Sequence, residues 1–325
     1  RGCPTICGKA PADVIGGFLW RISDHARLVL IAGLVAGLAL PGLAASLQPW
    51  LPQMVAGLLT ITALRIGHRA AVGAVSDLRW GVTSVVVLQL ALPLALLCLC
   101  WLAGIAQTPV AMAIVLATAA PALSGSPNLA LLLGQDAGRM MQILVMGTAL
   151  FPLTVLPLLA LMPQLGDATA IIAAAVRLLV VILGATAVGF ALRALVFPKP
   201  TSAQIKALDG LSVLAFSGIV IGLMAALNPS LRAAPGAVFM WLIVAFVLSY
   251  GVQIIAYKLL HERMSPGIAG PMAIGAGNRN IALFLVALPA DVLAPLMVFV
   301  GCWQLPMYLT PMLLRWLYRP EPRHE

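Results

Sequence analysis

Apolar residues fill this chain in ten stretches, each close to the about 20 mostly apolar residues that a membrane-spanning helix needs, parted by short polar links. Spans one and two run over 28–45 and 51–66, with only Ser46-Leu47-Gln48-Pro49-Trp50 between them, a tight uncharged connection. Span three covers 80–102 and span four 110–134, the latter broken around Ser124 to Asn128. Spans five to eight follow over 140–162, 168–192, 211–227 and 237–257. Span nine, 268–288, carries a second break, and span ten runs over 293–314. The pattern predicts an all-α polytopic membrane protein with no soluble domain left over.

The two breaks match each other. Gly277-Asn278-Arg279-Asn280-Ile281-Ala282-Leu283 lies 152 residues after Gly125-Ser126-Pro127-Asn128-Leu129-Ala130-Leu131, which shares its Gly, its Asn, the branched apolar residue and the closing Ala-Leu. Pro152 and Pro157 of span five recur as Pro306 and Pro311 of span ten, offset by 154. The expectation is a duplication: a first five-helix repeat over 27–165 and a second over 166–318, flanked by segments 1–26 and 319–325. Five is odd, so the second copy enters from the opposite side and the repeat is inverted. Paired interruptions in two halves are a sequence pointer to a transport site near the bilayer midplane.

Composition sharpens this. Hydrophobic residues make up 62% and charged residues 9%, with a mean hydropathy of +1.05, against roughly 25% charged in soluble domains. The net charge of +9 comes without a basic run, so no nucleic-acid partner is expected. With the N-terminus in the cytoplasm and Arg65 snorkelling to the near surface, the tails and even-to-odd loops hold sixteen of the nineteen Lys and Arg residues. Arg232 lies on the opposite side, and Arg177 and Arg279 lie inside spans. This positive-inside imbalance puts both termini in the cytoplasm. It also needs the first span to stay, which argues against reading 28–46 as a cleaved signal peptide. Cys3, Cys7, Cys98, Cys100 and Cys302 show no disulfide framework. His25, His68, His261 and His324 fall in predicted loops or tails, so none is placed as a proton relay.

Within the membrane, Gly125, Pro127 and Gly277 weaken helical hydrogen bonding, and the freed backbone groups need partners. Ser126, Asn128, Asn278 and Asn280 can supply some. Carbonyl and amide oxygens suit a hard cation such as sodium, and half-helix N-termini favour an anionic group. The alternative is a pair of kinked helices whose Asn residues only tie spans together.

The stretch Gly-Asn-Arg-Asn-Ile-Ala-Leu in the ninth of ten spans resembles the bile acid:sodium symporter family. Gln89-Leu90-Ala91-Leu92-Pro93 is similar to that family's Gln with Pro four later in span three. Asn128 matches its span-four Asn, and Thr148 with Pro152 its span-five Thr and Pro. The resemblance implies a secondary transporter of a small organic anion in a bacterial inner membrane, with crossing broken spans four and nine. Spans three to five and eight to ten would form a core, and spans one, two, six and seven a panel. Substrate would bind between them. Gln89, Asn128, Thr148 and Asn280 would be ligands of the ion region.

Two positions depart from that pattern. Five before the span-nine Asn, where well-studied members carry a sodium-binding Glu, stands Gly275; immediately before it, where they carry Gln, stands Arg279. An Arg at membrane depth costs at least ~2.5 kcal/mol and signals function or a specific partner. One reading gives its guanidinium the place of the coupling sodium, or contact with the anion itself, making transport sodium-independent, proton-linked or an exchange. The other has it cap carbonyls of the span-four break. The same superfamily includes auxin-carrier-like and arsenite-exporter-like groups, the latter expected to need a thiolate, for which Cys302 is the one candidate. A channel would use the same crossed helices. An enzyme would need a nucleophile-base pair, a metal cluster or paired carboxylates, and none is legible.

Overall fold

A computed structural model describes residues 11–74 and 77–318, and the described residues are mostly helical, with no strand beyond one isolated bridge. Among the described residues seven helices are long and apolar enough to cross a membrane: Pro41–Gly73, Leu78–Leu102, Ala137–Ala160, Ala168–Leu195, Ser202–Ala233, Pro235–His261 and Ala290–Leu313. These are the helices of an integral membrane protein. The difference from ten stretches has three sources, two of them the breaks. Stretch four is two pieces, α7 (Pro109–Ala119) and α8 (Ser126–Leu132). Stretch nine becomes α14 (Pro266–Gly277), a 3-10 turn Ile281–Leu283 and α15 (Phe284–Ala287). The third is stretch one, which is the short α2 (Ala26–Ala39), bent 86° from the helix before it.

That preceding helix, α1 (Pro11–Asp24), falls in the segment expected to lie outside the spans, and its residues 1–10 fall outside the described ones, as do Cys3, Cys7 and 319–325. It packs against α11 (Ser202–Leu223). Trp20 Nε1 donates to the Ala203 carbonyl at 2.9 Å, Lys206 pairs with Asp24 at 2.6 Å and covers the Trp20 ring at 4.9 Å. The backbones come so close that a Cβ at Gly210 would collide with the Leu19 carbonyl. The stretch-seven helix therefore begins well before 211. A capping box, Thr201 with Gln204, starts it. Lys206 and Asp209 continue it because each is matched by an opposite charge, Asp24 and Arg65.

The connection expected at 46–50 is also displaced. The non-helical point is Leu40, before α3 (Pro41–Leu47), and Gln48–Trp50 form a 3-10 turn leading into α4 (Leu51–Ala74). Ser217 Oγ donates to Val29 and Asn228 to Leu38, so α2 runs alongside α11 in the same direction. Met54 beside Gly218 and Arg65 beside Asp209 show α4 running against it. The chain thus reverses between Leu40 and Trp50.

Stretch three is α5 (Leu78–Val86) and α6 (Leu92–Leu102), joined by a π turn at Val87–Ala91. Asp77 caps α5 through the Trp80 N–H and takes Arg139 Nη1 at 2.8 Å. The Arg139 guanidinium beside Asp77 is the main cause holding that carboxyl below its ordinary value. Asp136 and Asp167 likewise cap α9 (Ala137–Ala160) and α10 (Ala168–Leu195). The remaining elements are α12 (Leu227–Ala233), α13 (Pro235–His261), α16 (Ala290–Leu293) and α17 (Met297–Leu313). The largest core cluster includes Phe151, Phe284, Phe299 and Trp303. A second gathers Met140, Ile143, Met272 and Tyr318 around α14.

Candidate functional site: a crossing of broken helices beside a crevice

Pro121 ends α7. The residue before a proline is pushed to extended backbone, and Ala120 has ψ 149°. The chain that follows meets the end of α14 in an antiparallel pairing of Ala122 with Arg279. Leu123 N–H donates to Asn278 O at 3.0 Å and Asn280 N–H to Pro121 O at 2.8 Å. Each break thus satisfies backbone groups of the other, as burial in an apolar medium requires. Helix α8 restarts at Ser126, whose hydroxyl is bonded to the Leu123 carbonyl, with Pro127 in its first turn, where a missing N–H costs nothing.

Arg279 is fully buried and meets no carboxylate among the described residues. Its Nε donates to Ala276 O at 3.0 Å, Nη1 to Ala120 O at 3.0 Å and Nη2 to Leu88 O at 2.7 Å. Ala120 and Ala276 lie in the last turns of α7 and α14, where carbonyls lack helical partners and the dipole is negative. Leu88 is free for a different reason. In the π turn Leu92 N–H bonds Val87 O, and the residue that would then reach Leu88 is Pro93, which has no N–H. Three carbonyls from three helices therefore converge on one guanidinium. Trp303 Nε1 donates to the Arg279 carbonyl at 3.2 Å and fixes its backbone.

Support comes from behind. Asn278 donates to Ile274 O and accepts from Thr310 Oγ1 at 3.2 Å. Ser249 Oγ donates to Gly277 O at 2.9 Å, Gln253 Nε2 donates to Ser249, and Tyr318 OH to Gln253 Oε1 at 3.1 Å. Helix α13 packs so close that a Cβ at Gly277 would collide with the Ser249 carbonyl. Gly275 faces Met140, Ile143 and Leu88 side chains at 3.3–3.4 Å from a built Cβ, so its surroundings are apolar.

The residues expected at the site fall in four places. Asn278, Arg279, Asn280 and Ser126 stand at the crossing, with the Asn280 side chain buried. Gln89 is buried in the π turn, one residue from the Leu88 carbonyl; its Oε1 accepts from Thr154 Oγ1 at 3.2 Å and its Nε2 abuts Gly147. Thr148 is half-buried and, among the described residues, makes no hydrogen bond to this group. Gly125 and Asn128 line a crevice of about 440 Å³. Cys302 is buried, with Val238 O at 3.9 Å from its sulfur, and Cys98 is exposed.

The crevice lies between α2, α4 and α11 on one side and α8 and α17 on the other. Its walls are mostly apolar, among them Leu30, Leu58, Leu129 and Phe216. Arg65 does not snorkel outward. It ion-pairs with Asp209, and its Nη2 donates to Asn128 Oδ1 at 3.3 Å, so one side chain of α4 holds groups on α11 and α8. Arg27, Tyr308, Thr62 and several serines add to the polar lining, the Tyr308 hydroxyl being buried with no hydrogen-bond partner among the described residues. The volume is that of a small-molecule site. Arg65 and Asp209 were not expected in the crevice lining because each sits at a stretch end, where charge reads as surface. No protein-family model matches the chain, and no curated protein matches it.

Proposed function

We propose that this chain is a secondary transporter of a small organic anion that works by alternating access and does not require sodium. The observation that carries the reading is Arg279 on the carbonyls of Leu88, Ala120 and Ala276, at a crossing of two broken helices beside an apolar crevice with a net positive lining. A carbonyl cluster at the C-terminal ends of half-helices is cation chemistry. Here the donors are already engaged by a guanidinium, and the position of an expected carboxylate is Gly275 in apolar surroundings. The residues present do not fit a sodium ion in that place, and the fixed charge of Arg279 does the ion's electrostatic work.

On this reading the chain crosses the membrane ten times as two inverted five-helix repeats, with both termini cytoplasmic in a bacterial inner membrane. The short pieces α7–α8 and α14–α15 would each count as one broken crossing. Internal prolines at matching places support the duplication, Pro152 and Pro157 in α9, Pro306 and Pro311 in α17. The family it fits is that of the bile acid:sodium symporters, with sodium coupling lost.

Proteoliposome counterflow of labelled organic anions, chosen by thermal shift of the purified protein, tests this with and without a sodium gradient. Saturable exchange at the same rate in both is expected. A strict sodium requirement overturns the Arg279 assignment, and Arg279→Gln is expected to introduce sodium dependence.

A further inference from the structure

We propose that Asp209 is a proton site of this carrier, taking up one proton as an anion binds Arg65, so that anion and proton cross together. The inference rests on the anion-carrier reading and adds the coupling ion.

Three charged side chains line the crevice, Arg27, Arg65 and Asp209. A guanidinium does not deprotonate in proteins, so Asp209 is the one among them whose charge can change. Its carboxylate is held by Arg65, whose remaining partner in the crevice is the neutral oxygen of Asn128. An incoming sulfonate or carboxylate that takes the Asn128 place puts two anions on one guanidinium. The Arg65 and Asp209 side chains are only 18% and 25% exposed, so little water screens the pair. Like charges at such range favour protonation of one of them. A sulfonate is too strong an acid to accept the proton, which leaves Asp209 Oδ to take it from the water of the open side. Binding and protonation then assist each other by linkage.

Other charges lie on the elements packed against Asp209 and must be separated from it. Helix α1 carries Arg21 and Asp24, the latter paired with Lys206 on α11; His25 stands at the α1–α2 bend with its ring on the Arg21 carbonyl, and α2 carries Arg27. On α4, His68 and Arg69 follow Arg65; on α10, Arg193 donates to the Leu64 and Arg65 carbonyls; α17 contributes the Tyr308 phenol. Asp209→Asn separates the carboxylate from all of these groups.

The probe is anilinonaphthalenesulfonate, an apolar monoanion whose fluorescence rises on leaving water. The signal removed by Arg65→Gln and kept by Arg65→Lys is the crevice-bound fraction. Between about pH 8 and about pH 5 its affinity is expected to rise by up to about tenfold per pH unit, and Asp209→Asn is expected to bind as tightly as the acid-form protein with no pH dependence. Arg65-dependent binding with a flat pH profile, or a slope retained in Asp209→Asn, overturns the proton site and leaves the carrier reading standing. Absence of any Arg65-dependent binding overturns both.

Discussion

Arg279 is a cation held by dipoles alone. Its cost of burial is met by three carbonyls that would otherwise be unpaired in an apolar interior. Arg279→Met removes all three donors at once, and with about 1–3 kcal/mol for each buried group left unsatisfied, a loss of at least about 3 kcal/mol is expected in detergent unfolding. Arg279→Lys keeps the charge but not the planar fork, so it is expected to fall between the two. The Asn and Arg of the second break were legible as candidates because they are polar in apolar sequence. Their acceptors were not: a backbone carbonyl has no letter of its own. Prolines betray two of the three free carbonyls, Pro93 that of Leu88 and, by ending α7, Pro121 that of Ala120. Thr148 illustrates the limit on α9, where the hydroxyl that reaches Gln89 belongs to Thr154, almost two turns on.

At the scale of the element, the π turn at Val87–Ala91 is the piece without which Arg279 would lose its shortest bond. Removing a proline from a helix interior ordinarily stabilises by ~3 kcal/mol. Pro93→Ala is expected to do the opposite, lowering stability by about 1 kcal/mol: a restored N–H would claim the Leu88 carbonyl and leave a guanidinium arm unpaired. Thermal unfolding of Pro93→Ala beside Arg279→Met checks this, and a gain in stability would contradict it. Element positions were legible where an apolar run ended on a capping residue, as at Asp136 and Asp167. They were not where paired charges carried a helix past its apolar run, as in α11, or where Pro41 rather than the polar link at 46–50 set the bend.

For the whole molecule, Arg65 is the side chain that reaches across the crevice, from α4 to α11 and to α8. If transport separates these walls, tethering them stops it. Cysteines replacing Asn128 and Thr62, both lining the crevice, joined by a short bifunctional thiol reagent, are expected to abolish counterflow, with recovery on cleaving the reagent. Undiminished transport in the tethered protein would show that the walls need not part. The crossing of the breaks has a last consequence for energetics. A bound ion leaves in every cycle, but a guanidinium is part of the chain. In the carrier proposed above, the unloaded protein would therefore keep its positive charge on the way back, and the membrane potential, worth ~2.3 kcal/mol per charge per 100 mV, would drive or oppose that empty return in proportion to the field Arg279 traverses.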